Sequence, residues 1–334
     1  MSTQQTSGEP LVSVIMSVKN GMPYLPETID SVLAQSYSRW EMIIVDDGST
    51  DNTWQVLQQY RDPRIKCVKQ ENTGVATAKN RAVQQSKGKY LAILDGDDLW
   101  LPQKLEQQVD FLEKNEDYVA VGGYADMIDF EGTYIYTEKK PISDTEIRRQ
   151  QEFRNPWTHS SVMMTRRAFD QVGGYYEPIK QYIVDYMIMF QLSSVGKVYQ
   201  LPTEVVQYRI VPTALSAKQN SKEFDAIAHR AIRKGIMPRE DMERMRAIKA
   251  REKSTPDFKK SMYHLYLGRS YLFHNYQRDK ALQHLRKAIQ YNPGLQIARA
   301  YWFMSAFLPR FLVRFIYNTL SPIAGSTYVR KIGR

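Results

Sequence analysis

Apolar residues along the first 120 positions come in two rhythms. Short runs, "LVSVIMSV" (Leu11–Val18), "EMIIVDD", "IKCVKQ" and "YLAILD", read as strands. Between them the spacing lengthens: in "PYLPETIDSVLAQS", Leu25, Ile29, Val32 and Leu33 fall on one helical face. "DNTWQVLQQY" predicts a second helix with Thr50 or Asp51 as its N-cap. "NTGVATAKNRAVQQS" predicts a third, opened by Asn72 or Thr73 and stopped near Gly88. "LPQKLEQQVDFLEKN" predicts a fourth, with Pro102 in its first turn. Four strand–helix alternations predict a parallel sheet covered by helices.

From about Tyr118 to Pro212 the pattern is mixed. Short apolar runs ("DYVAVGGY", "GTYIY", "SSVMMT", "KVYQL", "VVQYRIV") surround one helical segment, "DYMIMFQLSSVG". Beyond Ser216 everything reads helical. Residues 262–293 resemble one tetratricopeptide-type helix pair, with Leu267, Gly268, Tyr271, Ala281, Leu285, Ala288 and Pro293 matching if the turn is one residue longer. A single pair cannot bury its own face, so it needs neighbours. Residues 301–320, "YWFMSAFLPRFLVRFIYNTL", mix large apolar side chains with Arg310 and Arg314. That pattern fits either an interfacial amphipathic segment or a buried helix. The expected organisation is a flexible start over 1–10, a main domain over 11–217 and a basic helical region over 218–334.

Charge sharpens this division. Residues 1–217 hold 22 Lys/Arg against 28 Asp/Glu, and residues 218–334 hold 24 against 8, within an overall net charge of +10. A basic tail of this kind can mean nucleic acid, an anionic lipid or an acidic partner, or simply a solvated face, and among these a nucleic-acid partner is not the expectation. A single cysteine, Cys67, gives no intrachain disulfide framework and fits a reducing compartment. "MSTQQTSGEP" lacks the basic-then-apolar order of a signal peptide, and no run of about 18 apolar residues suggests a span. The expectation is a cytoplasmic protein, with the inner membrane face as a candidate peripheral location.

The candidate chemistry sits at strand ends, where ligands bind in parallel sheets. Asp46 and Asp47 close the second strand; Asp95, Asp97 and Asp98 close the fourth. Carboxylates this crowded repel unless a cation joins them, and Mg²⁺ or Mn²⁺ prefers such oxygens together with substrate phosphates. The D-x-D of Asp95–Gly96–Asp97 is by itself a weak signal, equally compatible with a solvated turn. No G-x-G-x-x-G follows the first strand, which disfavours a dinucleotide enzyme. "DGDDLWLPQKLE" has an apolar middle unlike a calcium loop. An aspartyl-phosphate hydrolase using Asp95 as nucleophile fits less well, because the motif lies on the fourth strand and is followed by Leu99.

Four stretches occur in order: "VSVIMSVKNGMPYLPETIDSVLAQSYSRWEMIIVDDGSTDNT", "ENTGVATAKNRAVQQSKGKYLAILDGDDLWLPQKLEQQ", "HSSVMMTRRAFDQVGGYYE" and "VDYMIMFQLSSVGKVYQLPTEVVQYR". Together they closely resemble the family 2 glycosyltransferases over residues 11–212. The resemblance implies a GT-A fold, an α/β class with a mixed sheet covered by helices, here with a C-terminal all-helical extension. It implies a nucleotide-diphosphate sugar donor, a UDP-sugar first, bound across the strand ends. Ser17 and Lys19 would flank base and ribose, Asp47 with Asp46 beside it would reach the base, and Lys79 and Arg81 would join the donor site. Asp97 and Asp98, with Asp95, would take ribose and, through Mg²⁺ or Mn²⁺, the diphosphate.

On the acceptor side the resemblance makes Asp185 the base that takes a proton from a saccharide or lipid-linked hydroxyl, with inversion at the anomeric carbon. Asp185 is also a natural helix N-cap, and the two roles can coexist. His159 stands where the family has a His or another polar residue; a satisfied structural histidine is the alternative. Trp100 either stacks on a sugar or closes the core. Gly173 and Gly174 allow a turn near the acceptor, which Tyr175 would touch. Three departures stand out. Lys19 replaces a frequent aromatic residue, Lys79 a frequent Arg, and Val211–Pro212 a segment that often carries a metal-approaching His. The implied role is polysaccharide or glycan assembly. A nucleotide-sugar-binding scaffold without catalysis is the alternative from another class.

Overall fold

A computed structural model describes residues 8–179, 183–212, 222–251 and 255–324. Most of the flexible start expected over 1–10, and the expected boundary at 217/218, lie outside these residues. The chain divides into two compact units, each built from three segments. The first comprises Met1–Ala125, Glu138–Tyr208 and Ala228–Met242; the second comprises Asp126–Thr137, Arg209–Ile227 and Glu243–Arg334.

The first unit opens with the expected alternation: β1 (Val12–Val18), α1 (Leu25–Leu33), β2 (Trp40–Asp47), α2 (Thr53–Leu57), β3 (Ile65–Gln70), α3 (Val75–Gln84) and β4 (Tyr90–Ile93). These four strands pair in parallel, β1 between β2 and β4, with β3 outside β2. Their carboxyl ends therefore share one edge, where Val18 pairs with Asp46, and Asp47 with Gln70. The strands' near-continuous apolar runs are buried throughout β1, β2 and β4, as a sheet covered on both faces requires.

The sheet then becomes mixed. β5 (Leu99–Trp100), α4 (Lys104–Lys114), β6 (Tyr118–Ile128), β7 (Tyr134–Glu138), α5 (Asp144–Gln151), β8 (Met163–Thr165), α6 (Arg166–Gln171), α7 (Val184–Val195) and β9 (Lys197–Arg209) follow. The nine strands run β3-β2-β1-β4-β8-β6-β9-β5, with β7 beside β6. β8 is antiparallel to β4 and β6, and β5 is antiparallel to β9.

Several local expectations change. "KVYQL" and "VVQYRIV" belong to one long strand, because Pro202 is accommodated within β9. Pro102 precedes α4 rather than occupying its first turn. Two helices appear between the short runs, where no element was read. α5 has a capping box, Ser143 and Glu146 each bonding the other's backbone, and α6 is capped by Thr165.

After β9 come α8 (Lys222–Lys234), α9 (Arg239–Arg251), α10 (Pro256–Ser270), α11 (Arg278–Tyr291), α12 (Gln296–Phe307) and α13 (Arg310–Ala324). In the second unit α10 and α11 form a hairpin through a π-helical turn, Tyr271–Asn275. Gly268 lets them approach: a Cβ there would stand 2.6 Å from Leu285 Cγ. The β6–β7 hairpin packs on these helices, with Tyr271 Oη donating to Asp129 Oδ2 at 3.1 Å and Phe130 N–H donating to Tyr263 Oη at 3.2 Å. Among the described residues, no helix is long and apolar enough to cross a membrane.

Candidate active site

The β2 carboxylates face different tasks. Asp47 is buried and accepts from Gln70 Nε2 (2.8 Å), Thr73 N–H (2.8 Å) and Gly74 N–H (2.9 Å). It thus holds the turn that leads into α3, whose N-cap is Gly74 rather than the expected Asn72 or Thr73. Gly74, at φ +105, swings the chain into the helix in a conformation that favours glycine. Asn72 bridges outward: its amide donates to Asp47 Oδ2 at 3.1 Å and accepts from Lys19 Nζ at 2.7 Å. Asp46 accepts from Ser49 N–H at 2.9 Å, but its Oδ2 is buried without a partner among the described residues. An unpartnered buried oxygen is costly unless something else serves it. Ser17, half-buried, and Lys19, exposed, complete this end of β1.

Lys79 lies on α3 and is buried. Its ammonium reaches Asp95 Oδ1 at 2.7 Å, while the Asp95 side chain stays 37% exposed. Burial pushes the Asp95 carboxyl up, but the Lys79 charge, His159 and the hydrogen bond from Lys79 outweigh it and hold the pKa below the usual range. Arg81 points elsewhere. It donates to Gln70 Oε1 at 2.9 Å, so it does not supply the guanidinium fork missing beside Asp95.

Asp98 is buried and Asp97 half-buried. Ser160 Oγ donates to Asp98 Oδ2 and accepts from Asp95 N–H at 3.1 Å, tying both ends of the acidic turn to one hydroxyl. Trp100 is a core side chain: it is buried, donates Nε1–H to Ser160 O at 2.8 Å, and lies under Lys104 with Nζ 4.0 Å from the ring centroid.

The Gly173–Gly174–Tyr175 turn is pinned by Asn80, the residue after Lys79. Tyr175 N–H donates to Asn80 Oδ1 at 2.9 Å, and Asn80 Nδ2 donates to Tyr175 O at 2.8 Å. Gly174 has φ +76, and a Cβ there would meet Asn80 Oδ1 at 2.9 Å. Tyr175 is buried, with its hydroxyl 2.9 Å from His159 Nε2; the tautomer decides which group donates. Burial and then Lys79 lower the His159 pKa to about 3 against an opposing pull from Asp95, so the imidazole is neutral. Its Nδ1 is buried without a partner among the described residues. Tyr175 also lines a cleft of about 310 Å³ with Asn80, Glu177 and Gln191.

Asp185 lies in the first turn of α7; Ile183, at φ +54, is the N-cap. The cap alternative for Asp185 therefore gives way to a carboxylate one step inside the helix. Asn155 Nδ2 donates to its Oδ2 at 3.1 Å. Burial raises the Asp185 pKa and Asp95 adds to the rise, while the Tyr186 backbone and Lys79 oppose it. A raised carboxyl is suited to taking up a proton.

Tyr208 stands beside the acidic turn. The β5–β9 register pairs Leu99 with Gln207, so the next step along brings Asp98 to Tyr208. Burial, followed by Asp98, Asp97, Asp95 and Asp185 in turn, holds the Tyr208 phenol well above its usual pKa. Sequence reading missed Tyr208, Ser160, Asn155 and Asn80. Asn80, Ser160 and Tyr208 stand inside the quoted stretches without being singled out, and Asn155 stands in none.

Among the described residues no three His, Cys, Asp or Glu side chains form a group that could hold a metal by themselves. The available side chains, Asp95, Asp97 and Asp98 on one turn, are nonetheless oxygen donors, which suits a hard divalent cation sharing its ligands with a diphosphate.

A mixed sheet with acids collected at its carboxyl edge defines a nucleotide-sugar transferase type of architecture. The family model "Glycosyl transferase family 2" matches residues 13–173. An uncharacterized glycosyltransferase of Rickettsia typhi, RT0329, is 32% identical over 67% of this chain and 72% of its own length. The chain belongs to the family 2 glycosyltransferases. The putative teichuronic acid biosynthesis glycosyltransferase TuaG of Bacillus subtilis is 46% identical over 36% of this chain, which spans 49% of that relative. Two solved structures share the fold. Staphylococcus aureus TarS 1–349 in complex with UDP-GlcNAc has TM-score 0.53 and 17% identity, with 92% of this chain and 91% of that one covered. The Pyrobaculum calidifontis mannosyltransferase PcManGT in complex with GDP-Man and Mn²⁺ has TM-score 0.53 and 18% identity, with 94% and 88% covered.

Proposed function

We propose that residues 11–217 form an inverting glycosyltransferase domain. It moves a sugar from a nucleotide-diphosphate donor, a UDP-sugar first, to a saccharide or lipid-linked acceptor in surface polysaccharide assembly. The observation that carries this reading is the acidic turn at the end of β4, where Lys79 meets Asp95 at 2.7 Å and Ser160 ties Asp95 to Asp98, together with Asp185 held by Asn155 at 3.1 Å. A relative named for teichuronic acid biosynthesis and fold neighbours holding UDP-GlcNAc and GDP-Man supply the context.

In the reaction, ionised Asp185 takes the proton of the acceptor hydroxyl as its oxygen attacks the anomeric carbon. The bond to the diphosphate breaks, and its electron pair leaves with the nucleotide. Attack opposite the leaving group inverts that carbon. Asp97 and Asp98 would hold Mg²⁺ or Mn²⁺, which would supply neutralisation of the charge on the departing diphosphate. Asn155 orients Asp185, and Lys79 keeps Asp95 ionised. The unpartnered Asp46 Oδ2 is the donor-side oxygen best suited to a base or ribose N–H or O–H. The cleft beside Tyr175 is the acceptor candidate.

The test is calorimetric titration with UDP, GDP and dTDP, each with and without Mn²⁺, followed by transfer assays. UDP binding should require the metal and disappear in Asp97→Asn. Asp185→Asn should keep UDP binding while transfer falls by about 10² or more, the usual contribution of a positioned base. Failure of the folded protein to bind any nucleotide would overturn the reading. Unimpaired transfer by Asp185→Asn would remove Asp185 as the base.

A further inference from the structure

Two helices of the second unit, α12 and α13, carry large apolar side chains on their exposed faces. In α12 the buried positions are Ala298, Tyr301 and Ser305, whereas Phe303 is 56% and Phe307 64% exposed. In α13 Val313 is buried, whereas Phe311 is 70% and Phe315 66% exposed, with Leu312 also outward. A core helix would show the reverse, with serine outside and phenylalanine inside. The sequence alternative of a buried helix therefore does not describe these residues.

The outward aromatics cannot turn inward, because the opposite faces are occupied. Tyr317 stacks on Phe273 at 5.2 Å between centroids, and Phe273 meets Tyr301 edge-on at 5.5 Å. The link between α12 and α13 is held as well, with Tyr276 Oη donating to Leu308 O at 3.0 Å and Arg278 donating to Ala306 O. Phe303 and Phe307, and again Phe311 and Phe315, are one helical turn apart and share a stripe within each helix. Arg310 and Arg314 form a stripe beside the second pair. Asp279 is the last acidic residue of the chain, so the charges in the sequence beyond it are all Lys or Arg.

We infer that the Phe303–Phe315 face docks on an anionic lipid bilayer, lying in its interface. Phenylalanine rings suit the acyl boundary, and the flanking arginines suit lipid phosphates. Charge selects this occupant over a second copy of the chain. A two-fold contact would bring identical basic stripes together without acids from this segment to pair them. The inference does not rest on transfer activity, since vesicle binding is measured without donor or acceptor.

The experiment is flotation of the full chain with phosphatidylcholine vesicles, with and without about one third phosphatidylglycerol. Binding is expected only to the anionic vesicles and should weaken as salt is raised. The double variant Phe311→Ser, Phe315→Ser replaces exposed side chains, so its fold is checked by an unchanged melting temperature. Its partitioning should fall at least about tenfold. Arg310→Gln with Arg314→Gln should weaken binding and flatten the salt dependence. Absence of binding to anionic vesicles, or full binding by the Phe double variant, would overturn the inference. So would lipid-free dimerisation that the Phe double variant abolishes, which would assign the face to a second copy.

Discussion

Asp46 and Asp47 show how much of a site a single residue step can decide. Side chains alternate faces along a strand, so two neighbouring carboxylates can only point different ways. Here one holds the turn before a helix and the other keeps an oxygen without a partner among the described residues. Asp185 yields a prediction at the same scale. Burial raises its pKa above the unfolded value, so ionising it costs the folded state stability as pH rises through the folded pKa. Asp185→Asn should therefore melt at or above the wild-type temperature at pH 7 despite its lost transfer. The advantage should vanish as pH falls below about 4, where the unfolded carboxyl is protonated too. Calorimetric melting at both pH values checks this. The acids themselves were legible, since strand ends and acidic runs are local features. Tyr208 and Ser160 were not, because nothing in "VQYRI" or "HSSV" reveals which side chains another strand will bring up.

At the scale of elements, the four opening strands and their helices were legible because their apolar spacing is local. The start of α3 was not, because its N-cap is Gly74 and the turn before it is held by Asp47 of β2. α5 was missed even though Ser143 and Glu146 are correctly spaced for a capping box, since its few apolar positions obscured the period. The helix pair of the second unit offers a sharper test. Gly268→Ala places a methyl 2.6 Å from Leu285 Cγ and 3.2 Å from its backbone nitrogen, so α10 and α11 must part. The substitution should cost about 1–3 kcal/mol, seen as a lower urea midpoint, despite alanine's better helix propensity.

At the scale of the whole molecule, three buried histidines set the acid response. Burial lowers His159 to about 3, with Lys79 assisting, and lowers His264 and His284 to about 4, with Lys287 assisting both. His264 and His284 also face each other, Nδ1 to Nδ1, at 2.9 Å. The unfolded chain takes up these protons near pH 6.5 while the folded chain resists. Stability should thus decline from about pH 6.5 downward, by at most about 1.4 kcal/mol per pH unit for each histidine. Urea unfolding at pH 7.5, 5.5 and 4.5 measures the slope, which His284→Gln should flatten. The segmented route of the chain has a practical consequence of its own. The 126–137 hairpin is enclosed by sequence of the first unit, yet it bonds to Tyr263, Tyr271 and Asn275 of the C-terminal helices. Excising everything after residue 217 would strip that hairpin of its packing partners. The C-terminal helices are thus not a detachable cargo, and any minimal enzyme cut from this protein would need its hairpin redesigned.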